Sequence, residues 1–123
     1  LSARIQSFRF AIRGIALTLR SQHNAWIHAV ATLGVVCLGL WMGVSRGEWL
    51  ALILAIVVVW VAEGLNTAFE ALCDVTSPGF HPQVERAKDI AAGAVLIAAL
   101  GGSVVGLLVF GPRLVSMVGG VPA

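Results

Sequence analysis

An all-α membrane fold follows from three observations on the sequence. Hydrophobic residues make up 59% of the chain and charged residues only 11%, whereas a soluble domain is about one quarter charged. Three apolar stretches each reach the roughly 20 residues that a helix needs to cross hydrocarbon. Ahead of them lies a segment whose apolar residues recur at helical spacing among arginines. The architecture expected is one domain over residues 1–123: an N-terminal amphipathic surface helix followed by three transmembrane helices.

The surface helix is expected over 4–20. Ile5, Phe8, Ile12, Ile15 and Leu19 step by three and four and form one stripe, while Arg4, Arg9, Arg13 and Arg20 lie mostly off it. A basic amphipathic helix of this kind suits a membrane surface, where arginines meet anionic headgroups; packing on the rest of the protein is the alternative. The arginines also interrupt any apolar run, so a cleaved signal peptide is not expected. The chain opens on Leu1 rather than Met, and a few residues could precede it.

The first span is expected over about 26–44, the second over 48–73 and the third over 89–111. Ser45-Arg46-Gly47 is too short for anything but a tight hairpin. The link from Asp74 to Lys88 is polar and holds Pro78, Gly79 and Pro82, which mark a loop. Basic residues set the orientation. Arg4, Arg9, Arg13, Arg20, Arg86 and Lys88 stand on one side, and only Arg46 and Arg113 on the other. The N-terminus and the long loop are therefore expected in the cytoplasm and the C-terminus outside. Trp41 and Trp49 fall near the outer interface and Trp26 near the inner one. Cys37 and Cys73 read as small packing residues.

The second span carries a polar stripe. The run from Trp49 to Ala62 is uncharged, yet it passes directly into Glu63, Asn66 and Glu70, which share one helix face. An ionisable side chain within a membrane helix marks a functional site by default. Glu63 lies 14 residues beyond Trp49, about 21 Å at 1.5 Å per residue, which puts it some 9 Å below the cytoplasmic boundary of a core about 30 Å thick. Glu70, about 10 Å further on, reaches that boundary. The stripe thus runs from lipid to cytosol, the geometry needed to join a lipid headgroup to a water-soluble reagent.

Each residue has a chemical and a structural reading. Glu63 suits a general base or an interhelical hydrogen bond. Asn66, one turn on, can orient Glu63 or tie helices together. Glu70 can ligate a hard cation such as Mg²⁺, which takes one or two carboxylates with phosphate oxygens and water, or can simply be solvated. Asp74 adds charge or caps the junction. Lys88-Asp89 is placed at the start of the third span, where a helix N-terminus and a lysine favour phosphate. His81 can contact a nucleotide or stand exposed. No Gly-Lys-Ser/Thr phosphate loop and no soluble protein-kinase signature is present. The small residues from Ala91 to Gly106 suit close helix packing, in a bundle or an oligomer.

Two motifs match a known family. The run from Ala62 to Asp74, with Glu63, Leu65-Asn66-Thr67-Ala68, Glu70 and Asp74, resembles the E-x-L-N-T/S-A-x-E-x-x-x-D segment of the prokaryotic diacylglycerol kinase and undecaprenol kinase family. Phe80-His81-Pro82 followed by Ala87-Lys88-Asp89-Ile90-Ala91-Ala92-Gly93-Ala94-Val95-Leu96 resembles its Y-H-x…A-K-D-x-A-A-x-A-V-L segment. Asn24 and Ile27-His28 are similar to its E-R-N-x-R-I-H region, so the resemblance extends from about Ser7 to Phe110.

The resemblance implies a homotrimer of such chains with sites between subunits, in the bacterial inner membrane. Its implied activity is transfer of the γ-phosphate of MgATP to a lipid hydroxyl. By position, it makes Glu63 the general base, Asn66 its support, and Glu70 a ligand of metal and nucleotide. Lys88, Asp89 and His81 become nucleotide contacts, as does the aromatic Phe10. Gln22 occupies the place of a second metal-ligating glutamate, so the implied Mg²⁺ site is Glu70 with Gln22. Trp26 replaces an arginine, and Gly79 an acidic loop residue. The short Ser45–Trp49 link and the Asn24…Ile27-His28 pattern are more like the undecaprenol branch. The partners expected are a lipid alcohol, ATP and membrane lipids, with no nucleic acid. The rivals are a small proton-coupled transporter, whose site belongs near the midplane, and a catalytically weak lipid-binding relative, which Gln22 keeps in view.

Overall fold

The structure, a computed structural model, describes residues 1–21 and 23–120. It contains four helices: α1 (Ser2–Ser21), α2 (His23–Met42), α3 (Arg46–Thr76) and α4 (Pro82–Gly119), with no strand among the described residues. Helices α2, α3 and α4 are each long and apolar enough to cross a membrane. At 1.5 Å per residue α3 and α4 run to about 46 and 57 Å, longer than the hydrocarbon is thick, so both carry turns beyond it.

The hairpin between α2 and α3 is set by local chemistry. Gly43, at φ 63°, takes the left-handed conformation that ends α2, and the Val44 amide donates back to the Gly39 carbonyl at 3.2 Å, a Schellman-type closure. Ser45 then starts α3 with a capping box: the Glu48 amide donates to the Ser45 hydroxyl at 3.2 Å and the Ser45 amide to Glu48 Oε1 at 2.9 Å. This turn folds α2 back on α3. Gly39 makes the close approach possible, since a Cβ there would lie 2.6 Å from the Trp49 ring. Trp49 therefore packs inward on α2 and away from the position expected of an interfacial residue, while Trp26 and Trp41 are 67% and 68% exposed.

Val44, Leu52, Val109 and Phe110 form the buried apolar core at this end. Arg113 closes it: its Nε donates to Glu48 Oε2 at 3.1 Å, its Nη2 to Glu48 Oε1, and its Nη1 to the Met42 carbonyl at 3.4 Å. One guanidinium thus joins the end of α2, the start of α3 and α4.

Two boundaries differ from the sequence-based expectation. The third span was expected over 89–111, but α4 starts at Pro82 and ends at Gly119. At its start, Pro82 occupies the first helical turn, where a missing N–H costs nothing, and His81 caps it. The link between α3 and α4 thus shrinks to Ser77–His81. At its end, Gly111-Pro112 suggests a stop, yet the helix continues through Pro112. Apolar Leu114 and Val115 prolong the membrane-compatible pattern, and proline is tolerated within membrane helices.

Helix α1 approaches α3 near its last turn, where the Thr18 hydroxyl lies close to Gly64. Ile5, Phe8, Ile12 and Ile15 remain more than half exposed. Among the described residues, these four positions of the apolar stripe are left largely uncovered. The spans are also poorly covered, with Leu65, Ile97 and Leu107 each about 70% exposed.

Candidate functional site

The site lies where α2 meets the second half of α3, at the opposite end of the bundle from Arg113. Glu63 is fully buried and Asn66 is 7% exposed. Among the described residues these are the buried polar side chains of the fold. A single step of three residues along α3 places both on the inner face.

Their neighbour is a residue to which the sequence reading gave no role. His28 of α2, with its side chain 13% exposed, brings Nε2 to 3.2 Å from Glu63 Oε2. The contact has ion-pair distance but lacks hydrogen-bond alignment, and His28 Nε2, both Glu63 oxygens and Asn66 Oδ1 are buried without a hydrogen-bonding partner. Buried polar atoms in folded proteins are almost always satisfied. Four such atoms in one place, two of them only 3.2 Å apart, mark this cluster as the candidate site. The signal for His28 was available in the sequence: it too is a titratable residue inside an apolar span.

The imidazole is held from behind. Trp60 Nε1 donates to the Thr32 hydroxyl at 2.9 Å, and that hydroxyl donates to the His28 carbonyl at 2.7 Å. Trp60 also meets the His28 ring edge-on, with centroids 6.2 Å apart. Beside His28 and Asn66 opens a cleft of about 220 Å³, walled by Asn24 of α2 and Ala92 and Val95 of α4. Asn66 also borders a second, wholly apolar groove of about 550 Å³ on α3 and α4, with Val58, Val61, Leu65, Phe69 and Ala94.

The remaining expected residues fall elsewhere. Glu70 is half-buried and engaged in an interaction of its own, two turns and about 10 Å beyond Glu63. Lys88 Nζ sits 3.2 Å from Asp74 Oδ1, linking α4 to the end of α3. Because α4 begins at Pro82, Lys88 and the exposed Asp89 lie in its second turn and not at its N-terminus. The expected helix-end attraction for phosphate is therefore not theirs, and Lys88 acts through its own charge. His81 Nδ1 accepts from the Gln83 amide at 3.2 Å, so its side chain caps α4. Phe10 is 66% exposed on α1, beside Arg9 and Arg13 in a shallow depression. It stands about 12 Å along α1 from the contact at Thr18. Gln22 lies outside the described residues.

No three His, Cys, Asp or Glu side chains among the described residues converge as a metal cage. Mg²⁺ bound to a nucleotide needs no cage, because one or two carboxylates complete a shell of phosphate oxygens and water. The half-buried Glu70 suits that lighter requirement by its chemistry.

The geometry thus presents a fully buried carboxylate one turn from Asn66, which borders an apolar groove. The family model described as prokaryotic diacylglycerol kinase matches residues 9–110. The chain belongs to the prokaryotic diacylglycerol kinase family. It is similar to an undecaprenol kinase of Bacillus subtilis, with 39% identity covering 89% of each chain. It is also similar to a diacylglycerol kinase of Synechocystis, at 34% over 90% of this chain and 64% of that one. A diacylglycerol kinase of Escherichia coli is 31% identical over 76% of this chain and 82% of its own. Membership makes the chain a bacterial membrane kinase that uses ATP to phosphorylate a lipid alcohol. The resemblance stated from the two motifs is confirmed, and the all-α membrane fold with it.

Proposed function

We propose that this kinase phosphorylates undecaprenol in preference to diacylglycerol, with Glu63 as general base. The observation that carries the reading is the fully buried Glu63 carboxylate, without a hydrogen bond and one turn from Asn66, which borders an apolar groove. The lipid chain lies along that groove and its terminal hydroxyl reaches Glu63. As the hydroxyl oxygen bonds to the γ-phosphorus, its proton passes to Glu63 and the bond to the β-phosphate oxygen breaks, releasing ADP. Asn66 orients the base. Lys88 leaves the exposed Asp74, a pairing that water screens, and neutralises charge on the phosphates; Asp89, His81 and Phe10 complete the nucleotide contacts. Glu70 with Gln22 would hold Mg²⁺, which would supply charge neutralisation on the phosphates. Catalysis of this kind is mostly positioning and electrostatics.

The undecaprenol preference is supported by the relative named undecaprenol kinase, whose 39% identity exceeds the 34% and 31% of the two diacylglycerol kinases described above. The site faces the cytoplasm, with the N-terminus inside and the C-terminus outside, as the six-to-two split of basic residues implies. The exposed flanks of α2 to α4 fit a homotrimer with the site completed between subunits.

The test is phosphoryl transfer by purified protein in vesicles, given labelled MgATP and either undecaprenol or diacylglycerol. Label is expected in undecaprenyl phosphate at the higher kcat/KM. A preference for diacylglycerol would overturn the substrate assignment. Label in neither lipid would overturn the kinase assignment of these residues.

A further inference from the structure

Glu63 has two oxygens in unlike surroundings. Oε2 faces His28 Nε2 at 3.2 Å, while no side chain is paired with Oε1. His28 itself is positioned, through the Trp60 to Thr32 hydrogen bond and the edge-on contact with the Trp60 ring. A side chain braced in this way, with its ring nitrogen 3.2 Å from a buried carboxylate, has a purpose that the packing alone does not supply.

We propose that His28 is the positioning residue of the general base. Its Nε2–H engages Glu63 Oε2 and fixes the rotation of the carboxylate, so that Oε1 is the oxygen presented to the lipid hydroxyl. This rests on the reading of Glu63 given under Proposed function and extends it to a residue on another helix. The present misalignment fits the role, since catalytic hydrogen bonds in unliganded enzymes are often loose and tighten when substrate binds. His28 and Asn66 line a cleft next to the buried Glu63. Among the described residues, the side chain brought to ion-pair distance of Glu63 is that of His28 from α2; Asn66 lies one turn on along α3, Thr18 of α1 approaches the neighbouring Gly64, and α4 contributes apolar residues such as Val95 to the adjoining cleft.

The test compares His28→Leu, which removes the donor, with His28→Gln, whose amide can return an N–H to the place of Nε2. Both are assayed as full-length protein in vesicles with MgATP and the better lipid substrate. His28→Leu is expected to lower kcat by about 100-fold, the scale of a small misplacement of a reacting group, with KM for ATP and lipid within about twofold. His28→Gln is expected to recover at least a tenth of the wild-type kcat, an order-of-magnitude expectation for a restored donor. Equal losses in the two variants, a loss confined to KM, or full activity in His28→Leu would each overturn the proposal. A second measurement does not depend on the variants at His28 folding. The imidazole ¹⁵N resonances of His28 in wild-type protein are expected to move in Glu63→Gln, and unmoved resonances would also overturn it. If wild-type protein phosphorylates no lipid, it is the kinase assignment that fails; if it is active and His28→Leu is equally so, only this inference does.

Discussion

At the hairpin end of the bundle, Glu48 accepts from Arg113 twice and from the Ser45 amide, while Arg113 also reaches the Met42 carbonyl. At the other end, Glu63 is more deeply buried than Glu48 and none of its oxygens is in a hydrogen bond. Both are glutamates of the same helix, α3, about four turns apart. The first is surrounded by groups that satisfy it and holds three helices together. The second is kept short of partners, at the cost of about 1–3 kcal/mol for each unsatisfied buried group. Stability accounts for the first arrangement. The second makes sense only if something else completes it, which is how a binding site differs from a staple in physical terms.

The largest effect that could break this contrast is at Glu63. Glu63→Gln preserves shape and removes the base. Lipid phosphorylation is expected to fall by about 10²- to 10⁴-fold, while the thermal unfolding midpoint in detergent stays level or rises, because a poorly satisfied carboxylate has gone. A variant that keeps its activity, or that unfolds readily, would make Glu63 structural like Glu48.

The hairpin end should respond in the opposite sense. Gly39→Ala drives a Cβ to 2.6 Å from a rigid indole, and overpacking of this kind costs about 1–3 kcal/mol. The unfolding midpoint should drop while kcat per folded protein is unchanged. Arg113→Gln strips Glu48 of its guanidinium and should lower the midpoint by a smaller amount, again without loss of kcat. Either variant losing turnover while still folded would show that the two ends are mechanically coupled, a result that unfolding and initial-rate measurements on the same preparation would reveal.

Much of this division was legible in the sequence, and the gaps have physical causes. The spans follow from hydropathy and the polar stripe from helical periodicity, because both are properties of one segment read along itself. Glu63 and Asn66 were therefore visible as one face. His28 was not tied to them because the pairing joins α2 to α3 across 35 positions, and periodicity says nothing about which residue of another helix lies opposite. Arg113 was missed as a staple for the same reason: charge counting recorded it as a topology signal, and only the fold shows that Glu48 is its partner. The start of α4 was misplaced because Pro78, Gly79 and Pro82 look alike as loop residues. Pro82 is in fact a helix opener, which becomes evident only with His81 capping from the preceding position.

The smallest expected effect sharpens the comparison between the ends by probing the seam that joins them. Along α3 and α4, Gly102 sits opposite Val59 and Ala55, and a Cβ there would lie 3.6 Å and 4.0 Å from their side chains. Those are ordinary van der Waals separations, unlike the 2.6 Å at Gly39. Alanine also forms helix more readily than glycine, by about 0.8–1 kcal/mol in an exposed helix interior. Gly102→Ala should therefore leave the unfolding midpoint unchanged or slightly raised, with kcat unaffected. A lowered midpoint would mean that α3 and α4 draw closer in the working assembly than within one chain. The small residues of α4 would then be shaped by contacts between copies, and the seam would belong with the incomplete, ligand-dependent end of the molecule and not with the self-sufficient hairpin.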